Sequence, residues 1–419
     1  MVGCGSVADL YLPVFKHLSE ARLEALVDVR PNVARELAAK YGVGKVYGDV
    51  REAVRDPDID ALIIGTPPEA HAGQVEAAAA AGKHVLCEKP MAATVGDCRR
   101  IIDACRKHGV KLQMAHMKRF MRGNQRVKAI VDSGILGKVF LAECHWDCGV
   151  PGLIDSYRER KGTGGGSLQD HGPHCFDLVR WWTGNDILSV SATMRIVHPE
   201  RSYEDMVVAV LEHENGMVSH HHMTRVSYGR EHSQDLYRLY GTAGTLVVRN
   251  DHHFPTRSLE SPEIILYAPG GISRRYEPGT GWNLDDTIMQ NYPFYNETKA
   301  FCRSIASGEE PLVTGEDGMH AMEAVMAAYV SAVEGRKVDL PFRDEVDLEA
   351  LFDVIRGRDR KSLGVGYTVE TSARMLPSVD TPFFGFSPPR TKEKWEPGKH
   401  GSRAGVRLGE FSGRILPPQ

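Results

Sequence analysis

The feature that most constrains the fold is a glycine-rich loop, GCGSVA, at residues 3–8. Such a loop seats a dinucleotide pyrophosphate on the N-terminus of the helix that follows it. Gly3 permits the tight turn, and Gly5 lets the backbone approach the pyrophosphate. The pattern predicts an N-terminal α/β domain of the dinucleotide-binding type, with Ser6 and Val7 as further contacts to the cofactor.

A carboxylate stands where such domains recognise the ribose of the cofactor. Asp28 ends the predicted second strand, about twenty residues after the loop, and can accept hydrogen bonds from both ribose hydroxyls. That arrangement favours NAD over NADP. Arg30 tempers the preference, because a nearby guanidinium can accommodate a 2′-phosphate. We therefore expect NAD as the cofactor and leave NADP open.

A lysine follows a later strand of the same predicted sheet. The stretch CEKP at residues 87–90 closes a short apolar run. The carboxyl ends of parallel strands border the ligand crevice, so Lys89 is expected to lie over it. A fixed ammonium there can hold the nicotinamide ribose and polarise a substrate oxygen. Glu88 can help to position the ribose, or it can simply pair with Lys89.

A second glycine run, GGGSLQDHGPH at residues 164–174, opens a predicted helix. Asp170 and His174 are four residues apart, so both project from one face of that helix. Pro173 suits the first turn of a helix, where its missing amide hydrogen is not needed. The glycines would let the backbone come close to a ligand.

Together, these three motifs resemble the glucose–fructose oxidoreductase / inositol dehydrogenase / rhizopine-catabolism (Gfo/Idh/MocA) family in their order and spacing. The resemblance covers roughly residues 1–341, including a late block at 301–341. It implies a Rossmann-like nucleotide domain followed by an α+β domain built on a largely antiparallel open sheet. The open face often serves as an oligomer interface in that family, so a homodimer or homotetramer is expected.

The resemblance also implies roles for the reacting groups. His174 would be the acid/base, and Asp170 would bind or orient the substrate hydroxyl. Lys89 would stabilise the developing alkoxide and hold the ribose. Histidine suits the first role because its ordinary pKa lies near working pH. His171 lies three residues from His174 and could compete for that role.

A loop with the sequence TPPEAH, at residues 66–71, matches the family's loop beside the nicotinamide ribose. It adds Thr66, Pro67 and His71 to the expected cofactor contacts. A proline-rich turn that caps a helix is the plain alternative for this loop.

The implied substrate is a sugar, cyclitol or related polyhydroxy compound. Its candidate contacts lie near the predicted crevice: His116, Arg119, Tyr157, Arg158 and His171. Ordinary packing or surface charge explains each of them equally well. Two other functions stay open at this point, an NAD-dependent redox-neutral glycosidase of the same family and a non-catalytic cofactor-binding regulator. The presence of Lys89, Asp170 and His174 together argues against the regulator.

Composition narrows the class of protein further. The 419-residue chain has a net charge of −4, without the basic footprint that nucleic-acid binding requires. No apolar run approaches the roughly 18 residues that cross a bilayer, and we expect no signal peptide before the glycine loop. Eight cysteines are scattered singly, as in reduced cytosolic proteins, and form no metal-ligand pattern. We expect a cytoplasmic protein with no metal, nucleic-acid or membrane partner.

The pattern of apolar runs predicts three regions. Residues 1–118 form the nucleotide domain, 119–341 the substrate and oligomerisation domain, and 342–419 a partly irregular extension. Strands are predicted at 23–29, 61–64, 84–87, 111–115, 138–146, 189–197, 206–212, 216–224, 236–241 and 245–248. Only Met1 and Val2 precede the glycine loop. The first strand is therefore expected to be truncated by a start internal to the natural sequence, or else to be a stunted strand that the sheet tolerates.

Overall fold

Parallel strands and crossover helices build the first region of the chain. The computed structural model describes residues 1–147, 165–198, 201–225, 234–251, 263–271, 273–276 and 292–362, and all of them belong to one compact unit, Met1–Met375. The strands are β1 Ala25–Val27, β2 Lys45–Tyr47, β3 Ala61–Ile64, β4 His84–Glu88 and β5 Leu112–Ala115. The helices are α1 Ala8–Tyr11, α2 Pro31–Tyr41, α3 Val50–Ala53, α4 Pro68–Ala80 and α5 Val95–His108.

A single residue joins the two halves of this sheet. Strands β1 and β2 pair in parallel, and so do β3, β4 and β5. Val2 bridges Val27 on one side and Ile64 on the other, both in parallel. The amide of Val2 donates to the carbonyl of Ile63 at 2.8 Å, and the amide of Gly65 donates to the carbonyl of Val2 at 2.8 Å. The strand before the glycine loop is thus one bridging residue long.

The second region is built on a nine-stranded sheet in the order β13-β12-β11-β10-β6-β9-β8-β7-β14. Its strands are β6 Val139–Asp147, β7 Ile187–Arg195, β8 Met206–His213, β9 Val218–Thr224, β10 Gln234–Gly241, β11 Thr245–Asp251, β12 Glu263–Tyr267, β13 Ser273–Tyr276 and β14 Val338–Asp339. Among the described pairs, β6 and β9 run parallel and the others antiparallel. The expected fold class is therefore confirmed: the sheet is largely antiparallel, with one parallel pair among those described.

One face of the large sheet is covered by helices. The helices of this region are α6 Arg122–Asp132, α7 Gly166–Thr183, α8 Pro293–Ser307, α9 Gly315–Glu334 and α10 Leu348–Ser362. Both α7 and α9 pack on the sheet and against each other. On β9, His221 is buried beneath α7 against Phe176, whereas His220 and His222 are partly exposed on the opposite face.

The beginning of the extension belongs to the same body. The extension was expected to be partly irregular, and its first part forms helix α10, which ends at Ser362. The guanidinium of Arg358 donates to the carbonyls of Ala332, at 3.0 Å, and Met194, at 2.7 Å. These bonds tie α10 to α9 and β7. Among the described helices, none has the length and apolar character that crossing a membrane requires.

Candidate active site

A cavity of about 660 Å³ lies at the carboxyl ends of β1 and β3. This volume is within the usual range for cofactor sites. Most of the expected cofactor contacts line it, namely Gly3, Gly5, Ser6, Val7, Asp28, Thr66 and Pro67. The loops that follow parallel strands therefore converge here, as the topology of such sheets requires.

Two glycines of the loop meet different requirements. Gly3 has a φ of +88°, and a Cβ on it would lie 2.7 Å from the carbonyl oxygen of Gly65. A Cβ on Gly5 would meet no atom within 4 Å. Gly3 thus serves the close packing of the protein itself. Gly5 leaves open space at the cavity wall, which fits the approach of a pyrophosphate to the backbone.

Asp28 is held as a carboxylate at the edge of this cavity. Its Oδ2 accepts the amide of Cys4 at 2.8 Å, and its Oδ1 accepts Nε of Arg30 at 3.0 Å. Burial alone would raise the pKa of Asp28, but the bonds from Arg30 and Cys4 outweigh it and lower the pKa. The ionised group fits a ribose diol, and Arg30 is already engaged with it.

The loop after β3 is stabilised by its own side chains. Thr66 donates from Oγ1 to Oε1 of Gln74 at 2.6 Å. His71 is fully buried, and its ring nitrogens lie 2.8 Å from the carbonyl of Thr66 and 3.1 Å from that of Met91. Burial lowers the pKa of His71. The imidazole of His71 therefore stabilises the loop through hydrogen bonds to its backbone, and it does not line the cavity.

The second part of the site is a cluster of charged side chains around Asp170. The Nζ of Lys89 lies 2.8 Å from Oδ1 of Asp170 and 2.9 Å from its backbone carbonyl. The guanidinium of Arg225 pairs with Oδ2 of the same carboxylate. One carboxylate therefore bridges two cations, one from the end of β4 and one from the residue after β9.

His174 lies on the next turn of α7, facing this cluster. It is 4% exposed, and its Nδ1 has no hydrogen-bond partner in the described part of the chain. Burial, reinforced by the charges of Lys89 and Lys118, holds the pKa of His174 well below its ordinary value. The imidazole is therefore neutral near neutral pH, the form that can accept a proton.

His171 has a different environment from His174. Its ring contacts the indole of Trp146 on β6, and the ring centroids of His171 and His174 are 6.0 Å apart. Burial also lowers the pKa of His171 well below its ordinary value. Both histidines are thus neutral, and their surroundings distinguish them.

His116 and Arg119 belong to a buried ion-pair network beneath α7. The Nε of Arg119 donates to Asp177 at 2.8 Å, and Nδ1 of His116 lies 3.1 Å from the same carboxylate. Arg119 is 3% exposed and also lies 3.1 Å from Asp317. The structure therefore places Arg119 in support of the helix rather than at an open crevice wall.

The other substrate candidates have different outcomes. Tyr157 and Arg158 lie outside the described residues. The ring of His116 lies 6.4 Å from that of His174, measured between centroids, so it is near the cluster although only 1% exposed.

The start of α7 differs from the expectation. The helix begins at Gly166, so Pro173 lies inside it and not in its first turn. The buried carboxyl of Glu204 accepts the amide of Leu168 at 2.8 Å, and a Cβ on Gly166, whose φ is +94°, would collide with it. Burial raises the pKa of Glu204 to about 8. A distant carboxyl thus does what a capping side chain usually does at a helix N-terminus.

Three residues of this region were missed by the sequence analysis: Lys118, Glu204 and Arg225. None belongs to a local motif, and each meets its partner across the fold. For Arg225, the sequence offered one sign of a functional role, namely a charged residue directly after a predicted strand. In the described part of the chain, no group of three histidine, cysteine or acidic side chains could hold a metal ion.

Comparison with known proteins places these features in a family. Residues 1–116 match the model of an oxidoreductase family with an NAD-binding Rossmann fold, GFO/IDH/MocA, and residues 124–247 match that family's C-terminal domain. The chain is 28% identical to myo-inositol 2-dehydrogenase of Thermotoga maritima over 345 residues, 81% of this chain and 97% of that protein. It is 25% identical to D-apiose dehydrogenase of Rhizobium rhizogenes over 349 residues, 81% and 96% of the two chains.

Solved structures give the same picture. Aldose-aldose oxidoreductase from Caulobacter crescentus, complexed with glycerol, is 28% identical with a TM-score of 0.71, covering 81% of this chain and 98% of that one. Levoglucosan dehydrogenase, in complex with NADH and levoglucosan, shares the fold at 23% identity, with a TM-score of 0.71 and coverage of 81% and 98%. The chain belongs to the Gfo/Idh/MocA oxidoreductase family, with an NAD-binding Rossmann domain at its N-terminus.

Proposed function

We propose that this oxidoreductase transfers a hydride between NAD and a carbinol carbon of a sugar, cyclitol or related polyhydroxy compound. The observation that carries the proposal is the convergence of Lys89, Asp170 and His174. The first two touch each other at 2.8 Å, and the charge of Lys89 acts on His174. Two relatives are named as dehydrogenases of myo-inositol and D-apiose, and these names support the same class of substrate.

The side chains of the cluster divide the work of an alcohol oxidation. NAD bound in the cavity supplies the hydride acceptor. Neutral His174 takes the proton from the substrate hydroxyl as the hydride leaves its carbon, and returns it in the reverse direction. The ammonium of Lys89 stabilises the negative charge that develops on the substrate oxygen as its proton leaves, and would hold the nicotinamide ribose. Asp170 fixes Lys89 and would bind or orient the substrate hydroxyl.

NAD is the expected cofactor in preference to NADP. The carboxylate of Asp28 would accept the ribose hydroxyls and repel a 2′-phosphate. Arg30, which could have bound that phosphate, forms an ion pair with Asp28 instead. Glu88, which accepts the amide of Lys89 at 3.0 Å, would help to hold the nicotinamide ribose.

The quaternary structure and location are part of the proposal. We expect a cytoplasmic homodimer or homotetramer that pairs through the open face of the large sheet. Val210 and Tyr267, which lie on that face, are 39% and 46% exposed. Sedimentation of the parent should show an oligomer, and Val210→Asp should shift it toward monomer. A monomeric parent would contradict this part.

The function is tested by NADH formation across a panel of sugars, inositols and glycosides. Turnover of at least one polyol, with one NADH released per carbinol oxidised, is expected. Release of nitrophenol from a nitrophenyl glycoside without net NADH would replace the dehydrogenase with the redox-neutral glycosidase. NADH binding with no turnover on any compound would favour a regulator.

A further inference from the structure

Away from the reaction cluster, two carboxyl groups are buried against one phenol. The hydroxyl of Tyr11 lies 3.0 Å from Oε1 of Glu88 and 2.7 Å from Oε2 of Glu297. Tyr11 and Glu297 are 0% exposed and Glu88 is 8% exposed. The three side chains come from α1, the end of β4 and α8. The junction therefore connects the helix after the glycine loop, the strand before Lys89 and the second region of the chain.

The protons at this junction can be counted. A phenol has one proton and donates it to one acceptor at a time. With both carboxyls ionised, one carboxylate oxygen would face the phenol oxygen with no hydrogen between them. Two buried carboxylates so close together also repel each other, and such pairs retain a proton. One additional proton resolves both conflicts, because a carboxylic acid can donate to the phenol while the phenol donates to the other carboxylate.

The surroundings indicate which carboxyl carries that proton. Oε2 of Glu88 accepts the amide of Lys89, and the side chains of Lys89 and His116 favour the ionised form of Glu88. In the described part of the chain, Oε1 of Glu297 has no hydrogen-bond partner. The titratable groups that act on Glu297 are Glu88 and Tyr11.

The pKa directions agree with this division. Burial raises the pKa of Glu88, against the opposing effects of Lys89 and Tyr11. Burial and the charge of Glu88 together raise the pKa of Glu297 well above its ordinary value. Behind Glu88 lies the thiol of Cys87, whose pKa burial raises well above its ordinary value, so the thiol is uncharged.

We propose that Glu297 is a positioning residue for the cofactor site and acts as a neutral carboxylic acid. It donates to Tyr11, Tyr11 donates to ionised Glu88, and this chain fixes Glu88 beside Lys89. The inference rests on the proposed seat of the nicotinamide ribose at Lys89. When the shared proton is lost at alkaline pH, a second buried charge displaces Glu88, and NADH binds less tightly.

Infrared spectroscopy tests the proton directly. The difference spectrum of the parent minus Glu297→Gln, at neutral pH, should contain the carbonyl stretch of a protonated carboxylic acid, shifted in D₂O. Ser304→Ala, a buried substitution on the same helix, should give no such band in its difference from the parent. Absence of the band from the Glu297→Gln difference would overturn the proposal.

Binding of NADH without substrate tests the positioning role. Tyr11→Phe, which breaks the chain, should raise the Kd for NADH about tenfold. Glu297→Gln keeps a neutral donor, so its Kd at neutral pH should stay near that of the parent, and the alkaline weakening seen in the parent should vanish. The proposal would be overturned if the Kd for NADH depended on pH in the same way in the parent and in Glu297→Gln. It would also be overturned if Tyr11→Phe and Glu297→Gln weakened NADH binding equally at neutral pH.

The two proposals fail in different experiments. If the Tyr11→Phe variant does not fold, the spectrum and the pH profile of Glu297→Gln still decide the matter. A parent that binds NADH but oxidises no polyol contradicts the proposed function and leaves these binding results intact. Normal turnover with a pH-independent NADH affinity contradicts the role of Glu297 alone.

Discussion

The cofactor cavity and the reaction cluster are built in different ways. The cavity is lined by residues of the segments that follow the strands, most of them in or beside the motifs at 3–8, 28–30 and 66–71. The cluster is formed by side chains from segments far apart, Lys89 with Asp170 across 81 residues and Arg225 with Asp170 across 55. The residues that line the cavity lie mostly in short sequence motifs, so they can be recognised before the fold is known. The ion-pair cluster joins residues that are far apart in the sequence and meet only in the folded protein. Substitutions in the two regions should therefore affect different measurements.

The largest effect is expected at His174. Because this imidazole is the proposed proton acceptor, His174→Ala should lower kcat by about 10²–10⁴-fold, the usual contribution of a general base. The Kd for NADH should hardly change, since His174 does not line the cavity. Steady-state kinetics and cofactor binding measure the two quantities separately. His171→Ala is the matched control, and should it lose turnover while His174→Ala retains it, the acceptor would be His171.

The pH profile sharpens the same contrast. The protonated imidazole cannot accept a proton, so kcat/KM should rise with pH through the pKa of His174. Burial lowers that pKa, so the acid limb should lie below the ordinary histidine value of about 6.5. A limb above that value would show that His174 is not the group observed.

The next effect concerns Arg225, which pairs with the carboxylate oxygen of Asp170 that Lys89 does not contact. Arg225→Gln should let Asp170 and Lys89 shift, and a displacement of this kind can cost up to about 10²-fold in kcat/KM. NADH affinity should change much less than kcat/KM, because most of the proposed cofactor contacts lie in the cavity and are not touched by the substitution. Arg180 lies on α7, as Asp170 does, and its guanidinium donates to Asp317 at 2.6 Å. Arg180→Gln removes this comparable ion pair and should preserve activity. Equal losses in both variants would point to damage of α7 rather than to positioning of Asp170.

The sequence predicted the features that have a strong local pattern more accurately than those that depend on distant partners. The strand at 61–64 was predicted to the residue, because its apolar run is uninterrupted and bounded by turn residues. Strands β2 and β12 to β14 were not predicted. The short strands β2, β13 and β14 have little local apolar pattern and depend on their pairing partners, whereas the apolar run of β12, EIILY, was overlooked. The roles of Lys89, Asp170 and His174 in turnover stay predictions, although their convergence is now a structural observation.

Glu204 and Glu297 could not have been found from the sequence. Each is a single acidic residue in an ordinary local context, and each becomes significant because the fold buries it against a distant partner. Gly166 illustrates the converse. Its glycine run was recognised, but the reason for a glycine there is the carboxyl of Glu204, which leaves no room for a Cβ.

The two glycines of the cofactor loop are expected to affect different properties, Gly3 the stability of the fold and Gly5 the binding of the cofactor. Gly3→Ala forces a Cβ against the Gly65 backbone at a positive φ, and should lower the free energy of unfolding by about 1–3 kcal/mol. Gly5→Ala meets no protein atom, so the Tm without cofactor should not change, while the Kd for NADH should rise about tenfold. Thermal unfolding and NADH titration of both variants distinguish the roles. A large loss of Tm in Gly5→Ala would contradict the assignment of its space to the cofactor.

An effect no larger than that of Gly5→Ala is expected in the choice between NAD and NADP. The parent should show a higher kcat/KM with NAD, because Asp28 is an ionised acceptor for the ribose diol. Asp28→Ala removes that acceptor and releases Arg30 to meet a 2′-phosphate, so the preference should narrow about tenfold, or about 1.4 kcal/mol. Asp49→Ala is the comparison, since Asp49 lines the same cavity but accepts the amide of Arg51 at 2.7 Å as a helix cap. Its preference should match that of the parent. A parent that prefers NADP by about tenfold would show that Arg30 governs the site, and that the ion pair opens when the cofactor binds.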